Sequence, residues 1–370
     1  MNLLALTHRR KVTRFSRHCP EDRSVNLAFR RHPRETRTFE RRRTELYRRL
    51  LWDIARMAHI PDGFLSASVS VTTLASAAAV TAYAARRARD GLEERAGPTL
   101  GLATAAVFAA QAVNFPVAAG TSGHLLGGVL IAVMFGPWAG YLVLTAVLIV
   151  QALIFADGGL TALGANILNI AGVGTLIGYA SYSVLIGLVG PGNRRRGLAA
   201  AAAAYLATFL TGIAVGLELG LSDIAPMRFS ITAMAGVHAI MGLAEGAITG
   251  LVVWTLARKR PDLIYGPRTT PVTKVSRAAT LAALGGLALV AGLLSFIASA
   301  SPDGLERLAI DLGFADSATR WAAAPLAGYR AWLPGFTGTA IAIAIGSVLT
   351  FAGAAALVRS LVALRRSDQT

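Results

Sequence analysis

Six histidines carry the metal-binding potential of this chain: His8, His18, His32, His59, His124 and His238. His59 sits in Met57-Ala58-His59-Ile60-Pro61-Asp62-Gly63-Phe64, and His124 in Gly120-Thr121-Ser122-Gly123-His124-Leu125. A lone imidazole where a turn meets an apolar stretch reads as a polar anchor. Two of them on one side of a membrane, amid Gly-rich turns, read equally well as ligands, since imidazole is the commonest metal-ligating side chain. Asn114, Thr121 and Ser122 are candidates to hydrogen-bond the His124 ring and fix its tautomer, although the same residue types simply favour turns. His238 and Glu245 stand seven apart on one predicted span, hence on nearly the same helix face. Ionisable groups inside a membrane are functional candidates by default. A buried polar pair that locks helix packing and a proton relay are the two readings. A single cysteine, Cys19, excludes a disulfide framework, a Cys-based zinc site and an iron–sulfur cluster.

These groups need elements to hold them, and the composition says which. Apolar residues make up 54% of the 370, and charged residues only 15%, against roughly 25% in soluble domains. That predicts an all-α, polytopic transmembrane bundle. Stretches long enough to span occur near 64–85, 98–117, 165–189, 197–217, 231–256, 277–299 and 338–358, at about 20 residues per crossing. The 32 residues of 124–155 contain Gly136-Pro137. Proline breaks helices, so this stretch is expected to cross twice. The count is then about nine segments, seven in the core and two in the C-terminal part. Lys/Arg in short loops mark the cytoplasmic side. Arg86, Arg87, Arg89 and Arg95, then Arg194 to Arg196, then the cluster 258–277, then Arg359, Arg365 and Arg366 all fall on one side with nine crossings. The start of the first span then lies outside. Gly242, Gly246 and Gly250 repeat every four residues, and Gly174 and Gly178 do the same. This spacing suits close helix packing inside the chain, or a face for a partner.

Residues 1–56 have a different character. They hold 16 of the 36 Lys/Arg and 6 of the 20 Asp/Glu. The net charge of +16 is therefore concentrated in one arginine-rich segment, which argues against reading the whole protein as a nucleic-acid binder. No apolar core of a signal peptide follows the basic start. A basic RNA- or lipid-binding arm is one reading. The other is that synthesis starts at Met57, since positive flanks would oppose export of such a tail. The extension is expected to stand outside the functional protein.

Four blocks in order carry a family likeness: HIPDGFLS from His59, NFPVAAGTSGHLLGG from Asn114, FADGGLTALGANILNIAGVG from Phe155 and HAIMGLAEGAITG from His238. Over 57–260 the chain resembles the CbiM/NikM family, the substrate-binding membrane components of energy-coupling-factor importers for cobalt and nickel. After a linker at 261–276, residues 277–370, with Ser301-Pro302-Asp303-Gly304-Leu305-Glu306 between two spans, resemble the PDGLE-type accessory domain fused to the core. In the family the chain begins Met-His, and the ion is held by the terminal amine, the amide nitrogen and ring of that His, and a distant His. Here Ala58 stands between Met57 and His59. Removal of Met57 would leave Ala58 with the free amine and His59 again second. The resemblance then implies a metal site of Ala58, His59 and His124, its amine, amide and imidazole forming fused five- and six-membered rings. If Met57 stays, an amine, two amides and the His59 ring fill the square without His124. Nitrogen donors in a plane suit Ni(II), Cu(II) and low-spin Co(II).

The expected function is capture of extracellular Co(II) or Ni(II) as transported ion, with no prosthetic group, in a multi-pass protein of the cell inner membrane whose metal site faces outside. The resemblance implies separate ATPase subunits and a transmembrane coupling subunit as partners, besides membrane lipid and with no nucleic acid. The chain itself has no G-x-x-x-x-G-K-[ST] phosphate loop and no Ser/His/Asp nucleophile set, so it is not expected to be an enzyme. The competing reading is a secondary, proton-coupled transporter in which both imidazoles are interfacial anchors.

Overall fold

The computed structural model describes residues 59–91, 97–117, 120–266, 276–296, 298–299, 301–319, 323–333 and 335–367. All belong to one compact unit, Leu51–Thr370. The extension 1–56, Ala58 and most of the linker fall outside the described residues.

The architecture is an all-α membrane bundle. In chain order the helices are α1 (Ala67–Gly91), α2 (Gly97–Gln111), α3 (Gly128–Phe135), α4 (Pro137–Phe155), α5 (Leu163–Asn166), a π-helical run (Ile167–Ile177), α6 (Gly178–Val189), α7 (Asn193–Leu221), α8 (Met227–Lys259), α9 (Arg277–Leu294), α10 (Gly304–Leu312) and α11 (Gly335–Ser367). Among the described residues, seven helical stretches are long and apolar enough to cross a membrane, two of them C-terminal to residue 276. The other two expected segments are helices of 15 and 8 residues, α2 and α3. Both fall short of the roughly 20 residues a full crossing takes.

The stretch 124–155 breaks where proline predicts. Gly136 (φ 87°) and Pro137 at the start of α4 separate α3 from α4. Gly136 faces the Tyr265 ring, and the Tyr265 amide donates to the Val133 carbonyl. A two-residue antiparallel hairpin, β1 (Phe115–Pro116) with β2 (Ser122–Gly123), delivers the chain from α2 to His124.

The glycine repeat serves internal packing. α7 and α8 lie along each other. A methyl group on Gly246 would stand 2.7 Å from the Ala201 carbonyl oxygen, and one on Gly250 2.8 Å from the Ala201 side chain. Gly174 likewise lies backbone-to-backbone with Gly128. Close approach of this kind is how small residues hold helices together where lipid removes the hydrophobic drive.

The residues that open the described chain are buried under residues from near its end. Ile60 and Phe64 pack with Val215, Leu219 and Met234, and with Leu305, Leu308 and Phe314 of the segment containing α10. Phe64 meets Phe314 edge to face at 5.0 Å. Asp303 caps α10 by accepting from the Glu306 amide at 2.7 Å, and Gly313 ends it in the left-handed region. One face of α10, Leu305, Leu308 and Ala309, points into this cluster.

Candidate metal site

Residues 59–64 lie outside the helices and the β1–β2 hairpin, so their backbone groups need other partners. Asn166 supplies two: its Oδ1 accepts from the Ile60 amide and its Nδ2 donates to the Ile60 carbonyl, both at 3.0 Å. A side-chain amide thus takes the place of a neighbouring strand. Gly159 N donates to the same Ile60 carbonyl at 2.9 Å, and Asp62 accepts from the Thr161 amide and hydroxyl. On the other flank the Thr319 amide donates to the Asp62 carbonyl.

This seating delivers His59 to a cavity of ~50 Å³, several times the 10–15 Å³ that one water needs. Its walls include Asn166, Asn169, Thr211, Met241 and Asp303, and it holds three imidazoles: His59, His124 and His238. The His59 and His124 ring centroids lie 5.1 Å apart at an interplanar angle of 55°. With metal–imidazole bonds of about 2.0–2.1 Å, two rings on one ion have centroids roughly 4.5–6.5 Å apart. The pair is therefore spaced for a shared ion.

Each ring's tautomer follows from its neighbours. His59 Nδ1 donates to Asp157 Oδ1 at 3.0 Å, since a carboxylate accepts. His59 Nε2 is buried and has no hydrogen-bond partner. His124 Nδ1 lies 3.1 Å from the Leu125 carbonyl and His238 Nδ1 2.9 Å from the Met234 carbonyl. In a neutral ring so arranged, Nε2 carries the lone pair. This bears on the expected chelate. A six-membered ring through the His59 amide runs over Cα, Cβ and Cγ to Nδ1, and here Asp157 occupies Nδ1. The fused rings form only if the imidazole turns away from that contact.

Asp157 was not expected at the site. It follows Ala156, whose φ of 49° turns the chain sharply after α4. Its second oxygen, Oδ2, accepts from the Tyr329 hydroxyl at 2.6 Å. Burial alone would push this carboxyl up, but the charge and hydrogen bond of His59, and the Tyr329 hydrogen bond, hold it below the usual range. Burial also pushes Asp303 up, to about 6, against its capping hydrogen bonds.

Ser122 and the α8 pair His238 and Glu245 have partners of their own. Ser122 does not bond the His124 ring: its hydroxyl donates to the Ser301 carbonyl at 2.7 Å, and its amide to the Pro302 carbonyl at 2.8 Å. Asn114 offers its carbonyl to the Ser299 amide, and the Thr121 carbonyl accepts from Val117. His238 and Glu245 are no hydrogen-bonded pair. Glu245 instead accepts from the Leu126 and Gly127 amides at 2.9 and 2.8 Å, fixing the loop that bears His124. A stripe on one helix cannot reveal what a different segment places beside it.

Substitutions at two positions test this framework. Glu245→Ala is expected to leave two buried amides unpaired, costing about 2–5 kcal/mol and lowering the thermal midpoint. Glu245→Gln, which keeps an acceptor, should lose less in the same melt. Gly159→Ala would place a methyl 2.2 Å from the Asp62 nitrogen and 2.6 Å from the Pro61 carbonyl carbon. It should push residues 60–62 off their seat at about 1–3 kcal/mol and weaken metal binding in an equilibrium titration.

Among the described residues, no three His, Cys, Asp or Glu side chains are grouped to hold an ion.

Residues 59–263 match the family model CbiM, described as the cobalt uptake substrate-specific transmembrane region. A putative fused nickel transport protein NikMN of Archaeoglobus fulgidus is 35% identical over 299 residues, covering 79% of this chain and 98% of that protein. A cobalt transport protein CbiM of Geobacter sulfurreducens is 32% identical, covering 66% of this chain and 73% of its own length. A crystal structure of a truncated transition metal transporter superposes with a TM-score of 0.50 at 31% identity, covering 54% of this chain and 98% of that one.

Proposed function

Because the chain belongs to the CbiM family of cobalt-uptake substrate-specific transmembrane regions, we propose that it is the metal-capturing component of an energy-coupling-factor ABC importer. It is a membrane transport component rather than an enzyme. Its cargo is Ni(II) or Co(II), taken up at the end of the bundle where His59 and His124 meet. This end faces the outside of the inner membrane, and separate ATPase subunits and a coupling membrane subunit supply the energy. The observation that carries this reading is the pair of buried imidazoles, 5.1 Å apart, that line one cavity.

In this reading the ion is held by His124 and by the start of the mature chain: the Ala58 amine, the His59 amide and the His59 ring, which turns from Asp157 to close the chelate. Nitrogen donors in a plane favour nickel over cobalt by affinity order. The expected result is one Ni(II) or Co(II) per chain beginning at Ala58, and uptake into vesicles only when ATPase and coupling subunit are present with ATP. Uptake by the chain alone, driven by a proton gradient, would instead identify a secondary transporter.

A further inference from the structure

The C-terminal part sends one carboxylate into the wall of the metal cavity. Asp303 lines that cavity together with His59, His124 and His238, and among the described residues it is the one acid that does. Its place is fixed on three sides. Asp303 Oδ1 accepts from the Glu306 amide at 2.7 Å, at the start of α10. Its backbone runs parallel to Ser122, two residues before His124, and the Ser122 amide and hydroxyl donate to the Pro302 and Ser301 carbonyls. Gly304 presses on α8, where a methyl group would stand 2.6 Å from the Val237 side chain, one residue before His238.

Capping alone does not call for this residue. A cap needs an acceptor, and Ser or Asn serves as well as Asp. A carboxylate is the costly choice, because Asp303 is only 7% exposed and a charge loses its hydration on burial. Burial pushes the carboxyl up to about 6, the Asp157 charge adds to that rise, and the His59 ring opposes it. The group is thus an anion at neutral pH in a place that disfavours anions.

We propose that Asp303 is the counter-charge of the captured ion: a carboxylate in the cavity wall that raises the affinity for a dication without coordinating it. The inference rests on the reading of His59 and His124 as ligands, and deepens it. With the His59 amide deprotonated in the chelate, the bound dication keeps one positive charge. That charge sits in a buried cavity, where its attraction to a carboxylate is far stronger than in water. Among the described residues Asp303 is not grouped with the two imidazoles as a third ligand, so it acts through space. The cap at Glu306 and the strand beside Ser122 hold it without help from the contact between His59 and Asp157. The His59 ring can therefore turn into the chelate while Asp303 stays in place.

The test uses the full chain beginning at Ala58, read as the Ni(II) dissociation constant, the Ni(II) absorption spectrum at saturation and the thermal midpoint with and without the ion. Asp303→Asn and Asp303→Ser remove the charge and keep a capping acceptor. Both should weaken binding by about 10–100-fold, the range seen when groups around metal ligands are removed. Their metal-free midpoints should stay at or above the parent's, their midpoints should rise less on adding Ni(II), and the saturated spectrum should match the parent's. His59→Ala serves as the reference. If it binds like the parent, the ligand reading fails. If it loses the ion while both Asp303 variants bind like the parent, only the counter-charge fails. A changed spectrum would make Asp303 a ligand and overturn the proposal. So would weaker binding matched by a fall in the metal-free midpoint of both variants, the mark of a structural role.

Discussion

Alanine at His124 is expected to weaken Ni(II) and Co(II) binding by about 100–1,000-fold, with little change in the thermal midpoint of the metal-free chain. Four-donor sites bind with about 10–16 kcal/mol, so each donor accounts for roughly 3–4 kcal/mol. His59→Ala should lose at least as much, because its ring closes the chelate with the neighbouring amide. His238→Ala is the internal control. That ring lines the same cavity but already donates to the Met234 carbonyl, and its loss should leave the affinity near the parent's. If all three alanine variants bind like the parent in a competition titration, the cavity is not a metal site.

The second large effect concerns the amine. A free α-amine has a reference pKa of about 7.7–8.0, and imidazole about 6.5. The ion must displace protons from both, so affinity should fall steadily as the pH is lowered from 8 to 6. Acetylating the Ala58 amine turns it into an amide. The expected loss is again about 100–1,000-fold by the same share per donor, and the acetylated chain should lose the amine's part of the pH dependence. A chain that retains residues 1–56 should resemble the acetylated one. Equal affinity of the free and blocked forms would remove Ala58 from the ligand set while leaving the His59–His124 pair untouched.

The sequence makes the imidazoles legible because few residue types sit so conspicuously at the ends of apolar runs. The break at Gly136-Pro137 is equally plain, since proline cannot continue a helix. Asp157 is hidden for the opposite reason. An Asp-Gly-Gly run reads as a turn, and its partner His59 lies 98 residues upstream. Asn166 is obscured by its apolar context, although a side-chain amide in such a stretch is itself a signal that some backbone needs it. Glu245 is visible as an ionisable group, but its partners come from a loop more than 100 residues away in sequence. The π-helical run Ile167–Ile177 leaves no mark, because a run of small and aliphatic residues suits either winding.

The covering of Ile60 and Phe64 by Leu305, Leu308 and Phe314 has a consequence for biosynthesis. A ribosome releases the first of these groups, Ile60, about 250 residues before the last, Phe314. Until α10 and the Tyr329 turn emerge, the seat for residues 59–64 is missing one wall and Asp157 lacks its phenol. A nascent chain can therefore insert its long helices one by one, but its cargo site matures only in the closing stage of synthesis. Any stall before residue 304 would leave an integral protein with its histidines in place and the roof over them unbuilt.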